Sequence, residues 1–320
     1  MRRFYNPTRG HPRSRLQSCF IMEGNCVVRA PWISQRMISP VDLQGIDISS
    51  IVLIRSAEPS WGLRVGELWR YREVLYFLTW RDIKVRYKQT LLGVLWAILQ
   101  PLVIALTLSL FLGRLAKMPS GGLPYPVFAY AGIVMWQLFS QAVTESSNSL
   151  LTNQSLITKV YFPRLIIPLS AVLASLLDFA ISFVLMVFFL LYYRMVPTVA
   201  IVTLPLMVCL AVAIASGAGL WLASFNVKYR DVRYTVGFLV QFWFLATPIA
   251  YPTSVVPERW RAWYGLNPMV GVVEGFRWAL TGIGGAPVLL VAASACVSAV
   301  ILISGLYYFL RTEDTFADFI

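Results

Sequence analysis

Histidine is all but missing from this chain: the single one, His11, lies near the N-terminus. Cysteine is scarce as well. Cys19, Cys26, Cys209 and Cys296 show no C-x-x-C spacing, so the sequence offers neither a zinc set nor a Cys/His nucleophile pair. Charge is the third shortage: 13% of the 320 residues are charged, against roughly 25% in an ordinary soluble domain. The phosphate-cradling pattern G-x-x-x-x-G-K-[ST] does not occur, so ATP is not held here by that route. What remains is apolar, 58% of the residues, which directs most of the chain toward lipid or neighbouring helices. A net charge of +12 suggests nucleic acid in a soluble protein. Here the cations sit in short stretches between apolar runs, and contact with anionic lipid headgroups is the better reading.

The stretch from Trp80 to Pro101 organises the rest. Its first half alternates cations with apolar and aromatic residues; its second half carries no charge, and that silence continues to Leu112. The run 91–112 is long enough for a helix across about 30 Å of hydrocarbon. The cations Arg81, Lys84, Arg86 and Lys88 beside it belong on the cytoplasmic side. Upstream, 67–88 reads as an amphipathic helix in the membrane interface, with Leu68, Tyr71, Val74, Leu75, Leu78 and Val85 on one side. Residues 1–60 show scattered Pro, Ser and Gly without periodicity and read as a disordered basic cytoplasmic tail, with Met22 and Met37 as available later starts.

Five further apolar runs follow, at about 126–143, 165–193, 199–225, 234–249 and 287–310. The expected fold is an all-α integral membrane protein of six spans over 61–320, with both termini cytoplasmic. From Arg64 onward, thirteen Lys and Arg fall in the segments this topology places inside and six in those it places outside, as the positive-inside rule requires. The segment 250–286 does not fit a simple loop. Its prolines at 252, 257 and 268 break it into pieces too short to span. Two short re-entrant helices dipping into the outer leaflet account for its mix of aromatic and charged residues. Within it, Glu274 and Arg277 are spaced to pair on one helix face. Asp178 is the acid well inside an apolar run, and is either a functional group or a partner in a helix–helix hydrogen bond.

Five stretches then carry a resemblance: Glu67–Pro101, Thr158-Lys-Val-Tyr-Phe-Pro-Arg164, Asn226-Val-Lys-Tyr-Arg-Asp-Val-Arg-Tyr234, Asn267-Pro-Met through Gly282, and Thr315-Phe-Ala-Asp-Phe-Ile320. In this order they resemble the permease subunit of ABC-2 type exporters, in the polysaccharide, O-antigen (Wzm-like) or teichoic-acid branch. The resemblance implies a homodimer in the inner (plasma) membrane with two copies of a separate ATP-hydrolysing subunit. This chain then binds no cofactor, and ATP and Mg reside in the partner. It implies an ATPase-coupling loop with Lys159, Tyr161, Phe162, Pro163 and Arg164. It also implies an interface helix carrying Trp80, Arg81, Asp82, Lys84 and Arg86, and a second cytoplasmic loop with Lys228, Arg230, Asp231 and Arg233. Tyr251, Asn267, Pro268, Glu274 and Arg277 match its outer gate. Aromatic faces suit sugar rings, which makes Trp96, Trp136, Phe242, Trp243 and Phe244 candidates for the substrate path; the same residues also suit helix interfaces. The cargo is read as a lipid-linked glycan, with a drug or small lipid as the alternative. A membrane-embedded glycosyl- or acyltransferase is disfavoured, because such chemistry calls for acid pairs, a His or an activated nucleophile.

Overall fold

The computed structural model describes residues 19–22, 25–28, 69–88, 93–159, 162–195, 198–229, 231–313 and 316. The chain divides into two units, Met1–Glu58 and Pro59–Ile320. In the first, β1 (Cys19–Met22) pairs antiparallel with β2 (Asn25–Val28), with Cys19 opposite Val28. The rest of 1–58, part of the stretch whose sequence reads as a disordered tail, lies outside the described residues.

The described part of the second unit is helical. Its order is α1 (Arg72–Lys88), α2 (Leu95–Leu108, continued by a π-helical turn Ser109–Leu115), α3 (Tyr125–Thr152), α4 (Gln154–Lys159) and α5 (Ile166–Tyr192). A 3-10 turn (Val199–Thr203) leads into α6 (Leu204–Lys228). Then come α7 (Val232–Ala246), α8 (Glu258–Tyr264), α9 (Pro268–Thr281) and α10 (Val288–Thr312).

Among the described residues five helical stretches are long and apolar enough to cross a membrane: Leu95–Leu115, Tyr125–Thr152, Ile166–Tyr192, Val199–Lys228 and Val288–Thr312. The fifth expected span, 234–249, is instead the 15-residue α7. At 1.5 Å per residue it reaches only about 22 Å, short of the roughly 30 Å of hydrocarbon. Pro248 ends it early, since the residue before a proline is pushed out of the helical region, and Thr247 is extended. The expected second span, 126–143, is an underestimate in the other direction. The helix runs on to Thr152, its late polar side chains satisfied by bonding back onto it: Thr144 donates to Ser140 O (2.8 Å), Asn148 to Thr144 O (2.9 Å) and Thr152 to Asn148 O (3.0 Å).

α3 is the axis of the bundle, packed by α5, α6, α2, α7 and α9. Tyr130, Phe139, Met135 and Leu138 on it are fully buried. α6 meets α10 at a backbone-to-backbone contact. A Cβ on Gly217 would lie 2.6 Å from Ile301 O, and one on Gly305 would lie 2.3 Å from Gly217 O. Small residues that let backbones touch are how helices pack where lipid supplies no hydrophobic drive. Trp221 stacks on Tyr308 (4.4 Å between ring centroids) beside that contact.

In α2, Pro101 has no N–H, so the carbonyl of Ala97 loses its intrahelical donor. Ser182 Oγ of α5 donates to that carbonyl at 2.8 Å. A polar group stranded inside the helix is thereby satisfied by a neighbour, as a span in lipid requires.

Candidate functional site

Most of the residues singled out by sequence fall at the two ends of α3. At its C-terminal end, α1 lies along α5. Leu78, Asp82 and Arg86, spaced i, i+4, i+8, form the stripe that faces inward. Leu78 is buried, Ser170 Oγ donates to Asp82 Oδ2 at 3.2 Å, and Arg86 reaches Asp178. The expected apolar side therefore holds through Tyr71, Val74, Leu75 and Leu78, which pack on one cluster, but fails at Val85, which is exposed. Polar contacts have taken over the inward stripe at that level. Trp80 and Lys84 face outward, the Lys84 ammonium 5.3 Å from the Trp80 ring centre.

Asp178 makes the expected kind of helix–helix hydrogen bond, with a glutamine of the neighbouring α3, and is tied to two residues of α1 as well. Its carboxylate accepts from the Arg86 guanidinium, the Tyr87 hydroxyl and, at 2.6 Å, Gln141 Nε2 of α3. Glu145, one turn beyond Gln141, sits 3.4 Å from Arg86. Three helices thus meet at one polar node, where a buried charge is both paired and hydrogen-bonded. Arg81 adds a second tie. It pairs with Asp82 (2.7 Å) and donates to Asn153 Oδ1 (2.6 Å), at the joint between α3 and α4.

The coupling-loop candidates divide. Lys159 is exposed at the end of α4, and Tyr161 lies outside the described residues. Phe162 is buried in a cluster with Leu78, Leu150, Ile166, Leu220, Phe309 and Phe316. Pro163 is half-buried, and Arg164 bonds Glu313 beyond α10. In the second loop Lys228, Asp231 and Arg233 are exposed, with Arg230 outside the described residues. Asn226, just before them, is buried and donates to Ser147 O at 2.9 Å.

At the N-terminal end of α3, Arg277 of α9 is almost wholly enclosed, 3% exposed. It donates to the carbonyls of Pro248 (2.8 Å), Ile249 (2.7 Å) and Phe128 (3.2 Å). Its guanidinium lies 3.6 Å from the centre of the Phe128 ring. Glu274 pairs with it at 3.3 Å, as the i,i+3 spacing predicts. Burial lowers the Arg277 guanidinium to about 10, with Glu274 opposing the shift, so it stays a cation at neutral pH. Pro268 is buried in the first turn of α9, and Asn267 caps the helix. Asn267 Oδ1 accepts from Met269 N (3.1 Å) and Trp243 Nε1 (2.9 Å), while Nδ2 reaches Thr247 Oγ1 (3.1 Å). Tyr251 and Tyr264 share a hydroxyl contact; burial first, then Tyr251, pushes the Tyr264 phenol above its ordinary range. Beside them lies an aromatic cavity of about 490 Å³ lined by Tyr251, Trp260, Trp263, Tyr264 and Asn267, among others.

The five path aromatics also divide. Trp136, Trp243 and Phe244 pack with Phe139 between α3 and α7, at ring separations of 4.9 to 5.7 Å. Trp96 and Phe242 are exposed. Sequence reasoning missed Tyr87, Gln141, Glu145, Asn153 and Ser170, and it missed Glu313. Gln141 and Glu145, four apart near the end of an apolar run, were a usable signal for a polar face; nothing local marks the others.

The described residues thus form an apolar helical bundle with five stretches long and apolar enough to cross a membrane, a polar node at one end and a clamped segment at the other. The chain belongs to the ABC-2 type transporter family, whose model matches residues 73–281. It is 32% identical over 216 residues to the O-antigen export system permease protein RfbA of Myxococcus xanthus, covering 67% of this chain and 82% of that one. A Klebsiella pneumoniae protein of the same name is 32% identical over 64% of this chain and 79% of its own. The polysialic acid transport protein KpsM of Escherichia coli is 25% identical over 62% and 78%. Family membership makes the chain a multi-pass membrane transport subunit that works with an ATP-binding partner, not an enzyme.

Proposed function

We propose that this chain is the membrane permease of an ATP-driven exporter of a lipid-linked polysaccharide, of O-antigen, capsule or teichoic-acid type, in the inner membrane. The observation that carries this reading is the 32% identity to an O-antigen export permease across 82% of that protein. Two copies of the chain pair with two copies of the ATP-binding subunit, which supplies ATP and Mg. α7 supports the pairing: too short to span alone, it exposes Tyr234, Phe238 and Leu245 along one side, a stripe that a second copy covers. The excess of cations at the α1 end supports a cytoplasmic N-terminus. With α7 and the turn that follows it taken together as the fifth crossing there are six, α8 and α9 dip from the outer face, and the C-terminus is cytoplasmic.

In this reading the loop 155–164 docks on the ATPase. Lys159 is offered to the partner, while Phe162 and Arg164 anchor the loop to its own bundle. Closure of the ATPase pair displaces loop and α1 together, and the Arg86–Asp178 node passes that motion to α3 and α5. Glycan moves along Trp96 and Phe242, which are open, with Trp136, Trp243 and Phe244 as their packed backing. Lys228, Arg230, Asp231 and Arg233 form a second contact on the same side. Arg277 and Glu274 hold the outer segment in place.

The test is reconstitution with the candidate ATP-binding chain in lipid vesicles, scoring ATP turnover and glycan appearing across the membrane. Lys159→Glu is expected to lower glycan moved per ATP at least fivefold. A complex that hydrolyses ATP in response to a small drug or lipid but moves no glycan would overturn the cargo assignment. Failure to bind any ATP-binding chain would overturn the pairing.

A further inference from the structure

Arg164 and Glu313 are 149 residues apart in sequence, yet two hydrogen bonds join them, and each runs from a helix end. Arg164 N, at the entry to α5, donates to the Glu313 carboxylate at 3.1 Å. The Arg164 guanidinium donates back to the Glu313 carbonyl, which closes α10. The pair is a reciprocal cap. α5 has no side-chain cap of its own and no acid in its first turn. Glu313 brings a carboxylate to that amide-rich end, and Arg164 brings a cation to the carbonyl-rich end of α10, each where the helix dipole favours it. Beneath the cap is a ring stack. Phe309 and Phe316 meet edge to face at 5.3 Å and share a cluster with Phe162 of the loop and Leu78 of α1. Phe309 and Phe316 are both fully buried.

The loop that follows α4 is therefore fixed to the bundle at Phe162–Arg164 by residues at and beyond the last helix, while Lys159, at the end of α4, stays exposed. We propose that Glu313 and Phe316 are positioning residues for transport: they form a strut that holds the loop in register, so that a push received at Lys159 is delivered to α5 and not lost in loop bending. This rests on the reading of the loop as the ATPase contact. Neither residue touches cargo or nucleotide; they act through Arg164 and Phe162.

The experiment uses the full chain with its ATP-binding partner in lipid nanodiscs, the four native cysteines replaced and a spin label on Lys159→Cys. A parallel set of unlabelled vesicle samples reads glycan moved per ATP. Glu313→Gln and Phe316→Ala are expected to raise the mobile fraction of the label severalfold and to lower glycan per ATP at least fivefold, with ATP turnover largely retained. Phe316→Leu, which refills the pocket, is expected to restore both. If Phe316→Ala does not fold, Glu313→Gln decides, since it keeps the shape and removes the charged acceptor. Unchanged label mobility, or loosened mobility with unchanged glycan per ATP, overturns the proposal. Loss of the coupling-loop reading looks different: Lys159→Glu in an otherwise native chain would then leave partner binding and glycan per ATP intact.

Discussion

Two arginines near opposite ends of α3 are held by opposite means. Arg277 is enclosed and grips backbone carbonyls, with one carboxylate at 3.3 Å. Arg86 is about a quarter exposed and lies between two carboxylates on two helices, Asp178 and Glu145. Carbonyls belong to the chain path, so the Arg277 clamp defines where residues 248 and 249 run and has no second arrangement to offer. Carboxylates are side-chain partners with rotamers, so the Arg86 node can lengthen or exchange contacts while the backbone stays folded. The first is suited to a fixed part of the molecule and the second to a moving joint.

Three substitutions sharpen or break that contrast. Arg277→Met carries the largest expected effect. It leaves three buried carbonyls and Glu274 without their donor, a loss of about 3–5 kcal/mol, read as thermal unfolding of the detergent-solubilised protein. Asp178→Asn is expected to cost about 2 kcal/mol, less because Glu145 still neutralises a partly wet Arg86. In a double-mutant cycle with Arg86→Gln the two losses should be clearly non-additive. Additive losses, or a larger fall for Asp178→Asn than for Arg277→Met, would break the contrast. Asn267→Ala is the smallest, about 1 kcal/mol for a lost N-cap. Because that cap also holds Trp243, the tryptophan fluorescence should shift even where stability barely changes.

Much of the bundle was legible in the sequence because charge silence is a one-dimensional signal. The third, fourth and sixth expected spans match α5, the stretch Val199–Lys228 and α10 to within a few residues. The second fell short where Ser, Thr and Asn begin, since composition does not show that their side chains bond back onto the helix carrying them. The fifth is overlong because hydropathy does not show that Thr247 and Pro248 leave the helix, where the Pro248 carbonyl meets Arg277. In the site, the Glu274–Arg277 pair could be read from spacing, and the value of α1 from its sharp change of charge. The direction of Phe162 and Arg164 could not, because their partners lie at Phe309, Glu313 and Phe316, far along the chain.

Pro101 carries a consequence for how the protein is made. The Ala97 carbonyl that it strands is answered by a hydroxyl 85 residues later in the chain. A ribosome delivers the first apolar helix long before that hydroxyl exists, so on arrival in the bilayer this helix still holds a polar atom that only water or a headgroup can serve. Its final seating waits on the synthesis of α5, and the order of translation thereby sets an order of assembly.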